Sequence, residues 1–397
     1  MIIILIEVIY INAFDFIRKE EQRQSETIEL IASENFVSDK VREATGSVFT
    51  NKYCEGYPAT RSSGRVGRYY GGCQNADALE EYCCDMWRKV FNTDYHVNVQ
   101  PHSGSQANMA AYLSVLNVGD RVLSMSLDAG GHLTHSSEVS FVSKLFDVKT
   151  YGVDENGLID YVDILNKALE FKPKLIVAGA SSYSREIDYF AFKSIANEVN
   201  AYLMVDMAHP AGLIAAGLLK SPFECADIIT TTTHKTLRGP RGGLIFCKPE
   251  LAKAVDSAVF PRTQGGPLMH VIAAKAVAAE ECLSAEYKTY CEQVVNNSKV
   301  MAQEFMRLGY DVISGGTDNH MFLLNLVGTG INGKQLQEAC DEHGITLNKN
   351  AIPNDPLPPS QASGVRIGTA AMTTKGFVEA DFIQTAHKID EIITSFH

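Results

Sequence analysis

The sequence predicts an α/β fold: a mostly parallel sheet covered by helices, with a smaller α+β module at the C-terminus. Three observations carry this. Short segments rich in Val and Ile recur between stretches with i, i+3, i+4 apolar spacing, the alternation that βα units produce. The alternation ends near Leu251, and a long helical stretch separates it from the C-terminal part of the chain. Beyond that stretch, strand and helix patterns resume on a smaller scale around a loop, Asn354–Pro359, that holds three prolines.

In chain order, Ile2–Ile11 is almost wholly apolar but interrupted by Glu7. It is about half the ~20 residues that a membrane helix needs. It has no basic start and no small-residue cleavage site, so it is not a secretion signal. A buried strand or a terminal tail is expected, and no membrane. Phe16–Ala32 reads as a helix with a charged, solvated face. Strands are predicted at Tyr95–Val99, Arg121–Met125, Lys174–Ala178, Tyr202–Val205 and Ile228–Thr231, with helices at Ser105–Leu116, Ile159–Phe171 and Tyr189–Asn200. Met269–Leu308 is the long helical stretch. The C-terminal module then has a strand at Met321–Val327, a helix at Lys334–His343 and a strand at Val365–Thr369.

The chain has 397 residues, enough for two to three domains. Its 45% hydrophobic and 21% charged residues exclude global disorder. A formal charge of −12 argues against nucleic acid as the main ligand, since phosphate backbones are held by clustered Lys and Arg. Nine cysteines without a C-x-x-C pair give neither a zinc ribbon nor a thioredoxin-type motif, and no metal is expected. They read as reduced thiols, which with the lack of a targeting signal leads to an expected cytoplasmic location.

The chemistry concentrates in Thr230-Thr-Thr-Thr-His-Lys-Thr-Leu-Arg-Gly-Pro-Arg-Gly-Gly243. A lysine directly after a strand, at the carboxyl edge of a parallel sheet, stands where open α/β folds bind ligands. There Lys235 can form a Schiff base with a carbonyl compound if its amine is held partly deprotonated. Asp206 ends another strand, 29 residues earlier, with His209 three residues on. A buried acid needs a cationic partner, and the protonated ring of pyridoxal phosphate is one; a helix cap is the plainer alternative. His102-Ser-Gly-Ser-Gln-Ala-Asn108 follows a strand and opens a helix. Two readings of it stand: an anion cradle of backbone N–H groups and hydroxyls, or a serine cap with a permissive glycine. His132, in a glycine-rich loop, can lie over an aromatic cofactor. Gly328-x-Gly330-x-x-Gly333 has the local form of a dinucleotide fingerprint, but no later strand ends in the acid that would hold a ribose, so it reads as a polar loop.

Together these segments resemble the serine hydroxymethyltransferase family. The likeness runs from about Phe16 to Phe377 and includes Glu29-Leu-Ile-Ala-Ser-Glu-Asn35, Asn51-Lys-Tyr-Cys-Glu-Gly-Tyr-Pro58, Arg68-Tyr-Tyr-Gly-Gly72, Gln100–Asn108, Val205-Asp-Met-Ala-His209, Gln264-Gly-Gly-Pro-Leu-Met-His270 and Asn348-Lys-Asn350. The resemblance implies the type I fold of pyridoxal-phosphate enzymes, with a seven-stranded-type sheet. It implies an N-terminal arm over 1–50, a large cofactor domain over 51–282 and a small domain over 283–397. It implies a homodimer, or a dimer of dimers, with sites at the subunit interface. The substrates would be L-serine, glycine and tetrahydrofolate.

By the same resemblance, Lys235 forms the internal aldimine, Asp206 pairs with the ring nitrogen and His132 stacks on the ring. His209 and Ser181 lie on the phenolic side. Ser103, Gly104, Ser105 and His234 hold the phosphate, joined from the neighbouring subunit by Tyr53 and Gly266. Arg366 clamps the substrate carboxylate, with Ser33 and Tyr69 or Tyr70 completing that pocket. Glu55 is the acid–base group, and Thr232 and Arg241 support the lysine. Leu127, Gly131, Leu133 and Asn350 line the folate site, where Ser360 replaces a more usual apolar residue. Ala59–Gly67 is about seven residues longer than members usually carry, and is expected to form a surface bulge. A folate-independent aldolase acting on threonine or another β-hydroxy amino acid is the alternative activity.

Overall fold

The computed structural model describes residues 12–59 and 67–396. The apolar run Ile2–Ile11 and most of the long loop therefore lie outside the described residues. The main sheet has seven strands: β1 (His96–Asn98), β2 (Arg121–Met125), β3 (Asp147–Tyr151), β4 (Leu175–Ala178), β5 (Tyr202–Asp206), β6 (Ile228–Thr232) and β7 (Gly243–Cys247), in the spatial order β1-β7-β6-β5-β4-β2-β3. The pairs β2/β3, β2/β4, β4/β5 and β5/β6 are parallel, while β7 runs antiparallel to both β6 and β1. The reason lies in the connection. Residues 233–242 join β6 to β7, too few for the crossover that a parallel return needs.

The five predicted strands form within a residue or two of their expected ends. Two further strands carry no clear sequence signal. β7 is a fully buried apolar run of five residues, Gly-Leu-Ile-Phe-Cys, too short for periodicity to tell a strand from a buried helical segment. β3 is an edge strand whose mixed Asp-Val-Lys-Thr-Tyr pattern carries little apolar periodicity.

Two helix expectations are corrected. The N-terminal helix is Ala13–Glu26, begun by an Asn12–Asp15 capping box. It stops before Ile28–Glu29, which pairs in parallel with Ile345–Thr346 and ties the N-terminal segment to the small module. The stretch 269–308 is two helices, Met269–Cys282 and Ala285–Arg307. Ser284 breaks it by accepting a hydrogen bond from Tyr287 N at 3.2 Å, the geometry of a new helix start.

The small module is an antiparallel sheet of β8 (Asp311–Val312), β9 (Met321–Asn325), β10 (Asn348–Asn350) and β11 (Gly364–Gly368), ordered β10-β11-β9-β8. Its own core includes Phe322, Leu324, Val365, Phe382 and Ile389. The larger core, around Trp87, Phe192 and Phe246, packs against the main sheet. Among the described residues, no helix is long and apolar enough to cross a membrane.

Candidate active site

The carboxyl ends of β2, β4, β5 and β6 open on one cavity of about 540 Å³. This is the crevice where strand order departs from chain order, the expected ligand position in such sheets. Sixteen of the residues named from sequence share it: Ser33, Ser103, Gly104, Ser105, Leu127, Gly131, His132, Leu133, Ser181, Asp206, His209, Thr232, His234, Lys235, Arg241 and Arg366.

Lys235 is buried, and its Nζ has no hydrogen bond or ion pair among the described residues. Burial pushes its amine from 10.5 down to about 8; Asp206 opposes this, and Arg366 and Arg241 add to it. A free amine is thus accessible near neutral pH, as nucleophilic attack on a carbonyl requires.

Asp206 is held by groups distant in sequence. Asn108 Nδ2 donates to Oδ2 at 2.9 Å, and His135 Nε2 lies 3.0 Å from the same oxygen. Ala208 N donates to Oδ1 at 3.1 Å. Asn108 is itself fixed by Thr230, whose hydroxyl donates to its Oδ1 at 2.6 Å. Burial works against the carboxylate, but these bonds and the nearby imidazoles hold its pKa well below the usual range. His132 caps the short helix Leu133–Ser136, with Thr134 N donating to its Nδ1 at 3.2 Å. A backbone N–H can only donate, so Nδ1 is unprotonated and the neutral ring carries its hydrogen on Nε2. Burial lowers the His132 pKa to about 4, which keeps the ring neutral.

His132, His135 and Asp206 bring possible metal-ligand atoms within 4.8 Å of one another. Hydrogen bonds already occupy these atoms: His135 Nε2 donates to Asp206, and the unprotonated His132 Nδ1 accepts from the Thr134 hydroxyl and N–H.

Ser103 caps the helix Gly104–Val115, its Oγ accepting from Gln106 N at 3.2 Å. Gly104 is required at the first turn, because a Cβ there would come within 2.6 Å of Thr232 Cγ2. The helix start, His234 and Lys235 thereby face one end of the cavity. The buried Nδ1 of His234 has no partner among the described residues, and burial chiefly, with the charges of Arg241, Lys235 and Lys275, lowers its pKa to about 3.

At the other end, Arg366 of β11 donates to Ser181 O at 2.7 Å, Asn348 Oδ1 at 3.3 Å and Ser33 Oγ at 3.5 Å. No carboxylate pairs with it among the described residues, although burial lowers its pKa to about 10. A buried guanidinium without an acid is a standing site for a ligand carboxylate.

Six of the named residues are not in the cavity. Asn350 sits on β10 with its Nδ2 donating to Ala351 O; Asn348, two residues earlier on the same strand, is the one that reaches Arg366. Tyr53, Glu55, Tyr69, Tyr70 and Gly266 gather elsewhere. The Tyr53 and Tyr70 rings are 4.9 Å apart, those of Tyr69 and Tyr70 5.3 Å. A Cβ on Gly266 would come within 3.1 Å of the Tyr53 ring, and one on Gly265 within 3.2 Å of Glu55 Oε1. The three tyrosines are 55%, 83% and 41% exposed, a large aromatic surface for a single protomer.

The long loop leaves this group intact, because it is closed at its base. Gly56 and Arg68 form an antiparallel bridge, and Tyr69 N donates to Glu55 O at 3.1 Å. The buried Arg68 guanidinium binds Asp77 at 2.7 Å, Glu80 at 2.6 Å and the carbonyls of Cys54 and Gly56 at 2.9 and 2.7 Å. R68M takes the guanidinium from the buried Glu80, to which Gln100 Nε2 also donates at 3.0 and 3.1 Å, and is expected to cost about 3–5 kcal/mol in urea unfolding. R68K should recover less than half of that, because it lacks the planar fork. A loss below about 1 kcal/mol would show that the network is not what closes the loop.

Residues that sequence does not single out do much of the holding. Asn108 ends the motif that opens its helix but has no role that sequence assigns, and His135 and Asn348 stand close to assigned residues; their spacing carries no signal of the contact. As a whole, the cavity fits pyridoxal phosphate. It has an anion site at the start of a 12-residue helix, a partly deprotonated buried lysine, and a buried carboxylate to face a protonated ring nitrogen. The comparison with protein families agrees. The family model for serine hydroxymethyltransferase matches residues 7–389. With nearly the whole chain matched, this protein belongs to the serine hydroxymethyltransferase family, which depends on pyridoxal phosphate and uses tetrahydrofolate as co-substrate.

Proposed function

We propose that this enzyme interconverts L-serine plus tetrahydrofolate and glycine plus 5,10-methylenetetrahydrofolate. The observation that carries this is the pairing, in one cavity, of the unpartnered Lys235 amine with the acid-free Arg366. One receives a carbonyl, and the other receives the carboxylate of an amino acid.

When bound, pyridoxal phosphate supplies an aldehyde for an amine and a conjugated ring that takes up electron density from the substrate Cα. The chain's own residues do the rest. Ser103, Gly104, Ser105 and His234 bind the phosphate. Asp206, kept ionised by Asn108 and His135, would hold a proton on the ring nitrogen. His132 would cover the ring, and His209 and Ser181 would bond its phenolic side. Arg366, with Ser33, orients serine by its carboxylate. Thr232 and Arg241 support Lys235.

Leu127, Gly131 and Leu133 form an apolar edge for the folate, and Asn350, outside this cavity, would complete the folate site. Glu55, with Tyr53, Tyr69, Tyr70 and Gly266, serves the cavity of a second copy in a homodimer. There Glu55 moves the proton of the serine hydroxyl. Support for that arrangement comes from the exposure of the three tyrosines and the absence of all five residues from this protomer's own cavity.

The activity test compares glycine formed from serine with and without tetrahydrofolate. Formation only with folate is expected; equal cleavage of serine or threonine without it would replace the proposal with the aldolase reading. The dimer makes a separate prediction. Co-refolded K235M and E55Q chains, each inactive alone, should regain roughly a quarter of wild-type activity, since half the random dimers hold one intact site of two. No recovery in a mixture shown to form mixed dimers would place Glu55 in its own subunit's site.

A further inference from the structure

The helix Met269–Cys282 buries a lysine that none of the catalytic roles uses. Lys275 is 1% exposed, and its Nζ donates to Val99 O at 2.7 Å, Gly243 O at 2.8 Å and Pro101 O at 3.0 Å. Three carbonyls use all three ammonium hydrogens, and no carboxylate forms an ion pair with it among the described residues. An apolar side chain would fill the same space without the cost of burying a charge. It would not gather three carbonyls from two segments at one point.

Those segments matter. Val99–Pro101 leads directly into Ser103 and the helix start. Gly243 begins β7 at the end of the loop that carries His234 and Lys235. Their contact is close: Gly243 N donates to Pro101 O at 3.1 Å, and a Cβ on Gly243 would lie 2.4 Å from Ser103 O. A Cβ on Gly242 would lie 2.5 Å from Lys275 Cε, so the glycine pair leaves the room that the lysine occupies. The Lys275 charge is also felt at His234.

We propose that Lys275 is the positioning residue of the phosphate cradle, fixing the Ser103–Ser105 helix start against the Lys235 loop and placing a positive charge behind the bound dianion. This rests on the reading of Ser103, Gly104, Ser105 and His234 as the phosphate site.

The test titrates cofactor-free protein spectroscopically with pyridoxal phosphate and with pyridoxal, which has the aldehyde and ring but no phosphate. K275M should weaken pyridoxal phosphate about tenfold or more and pyridoxal less than about threefold, the scale of lost hydrogen bonds to a charged group. If K275M does not fold by circular dichroism, K275Q, which keeps two N–H donors, is read the same way. Equal weakening of both compounds, or loss of the fold in both variants, assigns Lys275 to general packing and overturns the proposal. So does an unchanged preference in a folded variant. A wild-type protein that binds the two compounds equally well would instead overturn the phosphate site itself.

Discussion

Replacing Lys235 with methionine is expected to lower turnover by about 10⁴-fold or more, the scale seen when a nucleophile is removed, while making the cofactor-free protein more stable. Both effects have one origin. Among the described residues the buried amine has no partner, so the fold carries the cost of a desolvated cation, and that cost is what makes the amine available for a carbonyl. Its pKa is about 8 in the folded chain against 10.5 in the unfolded one. Below pH 8 the unfolded state gains no extra proton, and the full penalty stands. Between about 8 and 10.5 the unfolded state binds more protons than the folded one, so folded stability rises with pH. Above about 10.5 the lysine is neutral in both states and the penalty is gone. K235M should therefore gain on the order of 3 kcal/mol at pH 7, with the advantage fading as pH passes from 8 to 10.5. Urea unfolding of the two cofactor-free proteins across that range checks it. A variant no more stable than wild type at pH 7 would mean that the lysine is solvated or paired, and that its reactivity has another source.

The contrast between Lys235 and Lys275 shows what sequence can convey here. Lys235 is legible because a strand ends just before it and a glycine turn comes after, so its place at the sheet's carboxyl edge can be inferred. The same holds for Asp206 at the end of β5. Lys275 sits mid-helix among alanines and reads as an ordinary surface lysine; only the packing of that helix over the Val99–Pro101 and Gly243 carbonyls shows otherwise. Asn108 and His135 are illegible as supports of Asp206 for a similar reason, lying 98 and 71 residues from it. The strands obey the same logic. Runs that alternate with helical patterns are read correctly, whereas β7 is a five-residue apolar run that follows the lysine loop with no helix between, and β3 is too polar for periodicity to mark it. The long loop puts Glu55 in question on sequence alone. The Arg68 network, built from the carbonyls that flank Glu55 and from Asp77 and Glu80 on the helix that follows the loop, is what keeps Glu55 beside Tyr69.

Replacing Arg366 should act on substrate recognition with little effect on the cofactor. The guanidinium is oriented by Ser181 O, Asn348 and Ser33, none of them charged acceptors. Its positive charge is thus uncompensated until a carboxylate arrives, and truncating one partner of a buried charge pair costs about 2–5 kcal/mol. R366M is accordingly expected to weaken equilibrium binding of serine and glycine by about 10²-fold or more. R366K should recover only a minor part, because a lysine offers a point charge where two parallel N–H bonds are needed. The discriminating ligand is 2-aminoethanol, which keeps the amine and hydroxyl of serine and lacks the carboxylate. Its weak binding should be the same, within about threefold, in wild type and R366M. If R366M loses both ligands equally, the arginine shapes the cavity and does not read the carboxylate. If serine affinity survives the change, the carboxylate binds elsewhere, and the assignment of this end of the cavity to the amino acid is wrong. The outcome also bears on the small module, since Arg366 on β11 lines the cavity and Asn348 on β10 helps to orient it: a loss confined to carboxylate ligands would make substrate recognition the reason that the two sheets are held together at this point.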